Sequence, residues 1–206
     1  MPTLFISYRR EDSSDIAGRL FDSLEDHFGE DSVYFDVDSI PFGADYRDHI
    51  RDYIKKTQVL IAIIGPKWAS VEYTKGPKAG TRRIEDPEDL LRIELETALN
   101  HGVRVYPVLV SGAKMPSVEE LPSSLRQLNS LNAPEMPQGR AFRQSVEHLL
   151  LHLESLLPND ARIPYGEARV KAINALKLKI NIDGEFNAGS LTLAAGLLKE
   201  SSDIEG

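Results

Sequence analysis

The chain has no cysteine, which excludes disulfide stapling, a thiolate nucleophile and cysteine-ligated zinc, and suits a reducing compartment. Histidine is scarce. Of His27, His49, His101, His148 and His152, only the last two stand at a ligand-like i, i+4 spacing. No Glu follows His148 to make the zinc-protease motif, so the pair reads as the polar flank of a packed helix, and no metal is expected. Positive charge is in deficit: 24 Lys and Arg against 32 Asp and Glu leave a net charge of −8. Nucleic-acid binders normally carry a basic footprint, so no nucleic-acid partner is expected. Long hydrophobic runs are missing too; the longest, Val59 to Gly65, has the length of a strand. With no charged-then-apolar leader either, the expectation is a soluble, cytoplasmic protein without a membrane partner. No Walker loop, no Gly-x-Gly-x-x-Gly after the first strand and no Gly-x-Ser-x-Gly is present. These absences count against an NTPase, a hydride-transferring dehydrogenase and a serine hydrolase.

What is present alternates between two periodicities. Leu4-Phe5-Ile6-Ser7-Tyr8-Arg9-Arg10 runs from apolar to doubly cationic, as a buried strand does when its far end carries charge. Ile16, Leu20, Leu24 and Phe28 then recur at helical spacing before Gly29, with N-cap candidates at Glu11, Asp12, Ser13 and Ser14. Ser32 to Phe35 reads as a second strand, and Asp36 to Gly43 as a turn-rich loop carrying apolar Ile40 and Phe42. Ala44 to Lys56 reads as a helix with Tyr46, Ile50, Tyr53 and Ile54 inward, and Val59 to Ile64 as a central parallel strand. A long segment, Ala69 to Glu85, precedes a helix expected to start at Asp86-Pro87 and to end near Gly102. Val103 to Val110 is a fourth strand, which tolerates Pro107 only at an edge or an unpaired position. A short helix over Glu119 to Leu128, a weak fifth strand within Ser130 to Met136 and an amphipathic helix over Ala141 to Leu157 follow. This alternation predicts an α/β fold: a flavodoxin-like, doubly wound, parallel five-stranded sheet.

The helix after Asp86 holds the candidate acid. Its apolar stripe of Leu91, Leu95, Ala98 and Leu99 leaves Glu94 on the border, half-buried, while Glu96 points away. A carboxylate there, beside the arginines that end the first strand, suits an acid held in a fixed position. An ordinary surface glutamate paired with solvent or Arg92 is the competing reading.

Four stretches together resemble a bacterial Toll/interleukin-1 receptor (TIR) domain: Phe5 to Arg10, Phe35 to Gly43, Ile63 to Trp68 and Asp89 to Leu95. The resemblance covers about residues 2 to 157. It implies cleavage of NAD+ between nicotinamide and ribose, to ADP-ribose or a cyclic isomer, with NAD+ as substrate and no cofactor. By this resemblance Glu94 is the catalytic acid, with Glu96 the runner-up. Ser7, Tyr8, Arg9 and Arg10 line the nucleotide pocket, and the loop holding Asp36, Asp38, Phe42 and Gly43 gates it and contacts a neighbouring subunit. Leu90 stands where several family enzymes carry Trp; Trp68 or Phe42 is a substitute ring, or Trp68 is a plug at the strand end. Arg82 and Arg83 are further cations for a pyrophosphate, or members of a solvated basic loop.

The organisation expected is a TIR domain over 1–157, a linker over 158–166 and an extension over 167–206 that docks, oligomerises or begins a further domain. In that extension Glu167 to Leu176 and Ser190 to Lys199 read as helices and Leu178 to Ile182 as a strand. Function divides three ways: an NAD+-cleaving enzyme of bacterial immunity that acts on self-assembly, a non-catalytic scaffold that binds other TIR or sensor proteins, and a nucleotide-sensing domain.

Overall fold

The computed structural model describes residues 4–29, 32–35 and 46–157. The Asp36 to Gly43 loop and everything expected after Leu157 lie outside them. Strands β1 (Leu4–Ser7), β2 (Val33–Phe35), β3 (Val59–Ile64), β4 (Arg104–Val110) and β5 (Glu135–Met136) form one parallel sheet in the order β2-β1-β3-β4-β5. Helices α1 (Arg10–Phe28) and α4 (Ala141–Leu156) cover one face; α2 (Tyr46–Lys56) and α3 (Leu90–Asn100) cover the other. This is the flavodoxin-like order, with β1 and β3 flanking the point where the winding reverses.

The apolar run of β3 has no polar alternation because both its faces are covered. Val59, Ile61 and Ile63 pack in the core shared with α1 and α4; Leu60, Ala62 and Ile64 pack in the one shared with α2 and α3. In β1 the same two-residue period sends Leu4, Ile6 and Tyr8 toward α1 and α4, and Phe5 toward α3. Ser7 and Arg9 follow Phe5, and both bond residues of α3's first turns. Among the described residues no helix is long and apolar enough to cross a membrane.

Four local expectations need correction. No side chain from Glu11 to Ser14 caps α1: the helix begins at Arg10, and Ser13 (φ −146°, ψ 20°) interrupts it. Helix α3 begins at Leu90 rather than at Asp86-Pro87, because Asp89 is the residue whose carboxylate accepts the Arg92 N–H (3.2 Å). Tyr46, expected inward, is 38% exposed. The short helix near 119–128 is a 3₁₀ segment over Ser123–Ser130. Pro107 meets its condition. Leu109 N–H donates to Pro134 O on the β5 side (2.9 Å), so residue 107 faces the same way, and β5 pairs only with Leu109 and Val110. Among the described residues the missing donor therefore falls on an unpaired stretch of edge.

The turn after β3 closes against α1. Asp12 Oδ1 accepts the Lys67 N–H (2.8 Å), and a Cβ on Gly65 would stand 2.2 Å from Asp12 Oδ2. Gly65→Ala forces Asp12 aside and breaks that bond, so a loss of about 1–2 kcal/mol is expected by urea denaturation. In Asp12→Ala the same change should cost far less; an equal cost in both backgrounds would refute the contact.

Candidate functional site

Beyond the carboxyl end of β1 lies a cleft of about 130 Å³. Its floor is Phe5, Tyr34, Ile50 and Leu91, with Arg9 buried in the wall; its rim carries Tyr8, Arg10, Glu11, Arg83, Leu90 and Glu94. Sites that enclose drug-sized ligands run to roughly 300–1,000 Å³, so the space among the described residues has room for a ring-sized fragment. The aromatic floor is stiffened by stacking, Phe5 on Tyr34 (centroids 5.0 Å) and Tyr34 against Tyr53 (4.4 Å).

Glu94 is half-buried on the border of α3, where the helical period puts it. Its Oε2 accepts the Ser7 hydroxyl at 2.6 Å. The competing pairing with Arg92 does not form: Arg92 Nε donates to Glu96 Oε1 (2.7 Å), and Ser124 Oγ donates to the same oxygen (2.5 Å). Glu96 thus fastens α3 to the neighbouring 3₁₀ segment and takes no part in the cleft wall.

The two arginines that follow β1 divide their work. Arg9 is 2% exposed; its Nη1 donates to Asp89 Oδ2 (2.7 Å) and its Nε to Trp68 O (3.4 Å). It joins β1 to the start of α3, and its buried Nη2 has no partner among the described residues. Arg10 is exposed on the rim. Arg83 reaches the rim from the segment after β3, bridging Asp89 Oδ2 (3.1 Å) and Glu11 Oε1 (2.7 Å). Arg82 turns away to Glu85 and to Glu120 O (2.9 Å).

Of the expected substrate contacts, the structure brings Tyr8, Arg9, Arg10 and Leu90 to the cleft beside Glu94. Tyr8 is half-buried, stacked on Phe35 (5.2 Å). Ser7 lies behind the wall. Trp68 is 1% exposed, packed in the core shared with α3, and does not line the cleft. Asp36, Asp38, Phe42 and Gly43 are outside the described residues. The sequence reading missed Asp89, which caps α3 and receives two arginines. The signal was there as a second Asp at cap spacing, but Pro87 drew the helix start to Asp86.

The segment after β3 folds back on itself. Tyr73 N–H donates to Thr81 O (3.0 Å), Gly80 N–H to Tyr73 O (2.9 Å) and Arg83 N–H to Val71 O (2.8 Å). Asp86 anchors it, accepting from Tyr73 Oη (2.7 Å), Lys78 Nζ (2.6 Å) and Glu88 N–H (3.1 Å). Burial acts to raise the Asp86 carboxyl, but the bonds from Lys78 and Tyr73 outweigh it and hold the group at about 2. Burial, followed by the bond to Asp86, pushes the Tyr73 hydroxyl up to about 12. A depressed carboxyl contributes stability in full above its ordinary value of 3.8 and loses it as pH falls through about 2. Native protein should therefore lose stability between about pH 4 and pH 2, and Asp86→Asn should flatten that limb; parallel limbs in urea titrations would contradict this.

The TIR domain family profile matches residues 4–150. The chain belongs to the TIR domain family. Among solved structures, it is similar to the TIR domains of the activated Roq1 resistosome that directly recognises the pathogen effector XopQ. That match has 13% identity and a TM-score of 0.50, and covers 74% of this chain and 96% of the other. It is also similar to the TIR domain of the Toll-related receptor TRR-2 from Hydra magnipapillata, with 15% identity, a TM-score of 0.47 and coverage of 79% and 99%. A TIR-STING receptor from C. gigas in complex with 2′,3′-cGAMP matches with 19% identity, a TM-score of 0.49 and coverage of 89% and 52%. No curated protein matches the chain.

Proposed function

We propose that this TIR domain binds NAD+ in the cleft beyond β1 and cleaves its nicotinamide–ribose bond, acting as a self-assembled enzyme. The observation that carries the reading is a half-buried Glu94 carboxylate, fixed by Ser7, on the wall of a cleft whose rim also carries Arg10 and Arg83. In the reaction the C1′–N bond breaks with its electron pair going to nicotinamide, which leaves neutral. Positive charge develops on the ribose. A fixed carboxylate stabilises that charge and orients a ribose hydroxyl. Water then adds at C1′ and loses a proton, giving ADP-ribose; attack by an adenine nitrogen gives a cyclic isomer instead. The rim cations and the unpartnered Nη2 of Arg9 suit the pyrophosphate.

Assembly belongs to the same reading and rests on the family resemblance, by which the 36–43 loop of a neighbouring copy completes the pocket. The bacterial immune setting rests on the family resemblance. The second reading is a non-catalytic scaffold, favoured by the aliphatic Leu90 on the cleft wall where several family enzymes have an aromatic ring. NAD+ consumption by the concentrated or artificially clustered chain, with the products separated, decides between them. Release of nicotinamide is expected; no turnover under clustering would favour the scaffold.

A further inference from the structure

We propose that Ser7 is a positioning residue, which holds the Glu94 carboxylate in place and in its ionised form. This rests on the reading of Glu94 as the reacting acid. Ser7 was expected to touch substrate, yet it is 1% exposed and absent from the cleft wall. Its backbone is set in the sheet, paired with Ala62 of β3, so its hydroxyl stands on a rigid element.

The alternation of β1 makes the arrangement. Phe5, Ser7 and Arg9 share the face toward α3, where Phe5 packs in the core, Ser7 bonds Glu94 and Arg9 bonds Asp89. Two successive side chains on one strand face thus grip two carboxylates of one helix. The Arg9–Asp89 pair sets where α3 starts; the Ser7 bond fixes the position of one Glu94 carboxylate oxygen, Oε2. A hydroxyl that donates at 2.6 Å also favours the carboxylate over the acid. The charged form is the one that stabilises positive charge on a ribose.

Ser7→Ala and Ser7→Cys remove or weaken the donor, the second with little change of volume, and Ser7→Thr keeps it. In the full chain the first two should lower kcat for NAD+ roughly 10–100-fold with KM unchanged. The acid limb of kcat should move up by about one pH unit, and Thr should restore both. A rise in KM at constant kcat would make Ser7 a substrate contact; an unmoved pH profile would leave it a purely structural hydroxyl. Either overturns the proposal. A carbon-13 NMR titration of the Glu94 carboxyl without NAD+ separates this proposal from the enzyme reading. An upward shift of the midpoint in Ser7→Ala supports the Ser7–Glu94 coupling even if the native chain turns over nothing, and an unmoved midpoint overturns it even if the enzyme is active.

Discussion

Glu94→Gln is expected to lower NAD+ turnover by at least about 10²–10³-fold, the scale of losing one preorganised electrostatic stabiliser. The substitution is nearly isosteric, and the amide oxygen still accepts the Ser7 hydroxyl that bonds Oε2 in the native chain. What disappears is the negative charge facing the developing oxocarbenium. The melting temperature should therefore stay close to native, which separates a chemical loss from a folding loss. Glu96→Gln is the control. Its carboxylate is engaged with Arg92 and Ser124, away from the cleft, so this change should weaken the α3 contact and leave kcat near native. A Glu94 variant that turns over NAD+ as the native chain does would remove Glu94 as the acid. Loss in the Glu96 variant alone would move the chemistry to the other side of the helix.

The largest effect on stability is expected at Asp89. Its side chain is 0% exposed and faces Arg9 at 2%. Removing one partner of such a pair leaves a buried charge uncompensated and costs about 3–5 kcal/mol. Asp89→Ala also removes the cap on Arg92 N–H, worth about 1 kcal/mol more. Against a typical domain stability of about 5–15 kcal/mol, that is enough to bring the protein near its folding threshold. Asp89→Asn keeps an oxygen for the cap and loses only the charge, so it should fall between Asp89→Ala and native. The double variant Arg9→Met/Asp89→Leu removes both buried charges together and leaves Arg83 its pair with Glu11, so it should recover most of the stability. Urea midpoints of the four proteins test this; a double variant no better than Asp89→Ala alone would mean that the pair contributes through something other than charge compensation.

The sequence made some elements easy to read and others impossible. Val59 to Ile64 declares a doubly covered strand through six consecutive apolar residues, and that is where β3 runs. The alternating four- and three-residue spacing of Phe142, Val146, Leu149 and Leu153 places α4, all of them buried against the sheet. The same period put Glu94 at a half-buried border and Leu91, Leu95 and Ala98 inside; it overlooked Ile93 and Thr97, which are buried too. The break at Ser13 was not legible, because residues 9 to 15 are all polar and no apolar period crosses it. Nor was the separation of Arg9 from Arg10. Adjacent identical residues look like one cationic patch, but Arg9, still extended beyond β1, is buried against Asp89, while Arg10 opens α1 and stands at the rim.

Local pattern alone therefore determined the α/β class, the parallel sheet and the border position of Glu94, since periodicity and turn chemistry act within a few residues. Tertiary structure decided which groups meet. Ser7 and Glu94 are 87 residues apart in the chain, and Arg9 and Asp89 are 80 apart. Such pairings depend on the register of β1 against β3 and on where α3 starts over the sheet. A buried arginine takes the carboxylate that this packing brings within hydrogen-bond reach; nothing in the neighbourhood of either residue encodes that distance.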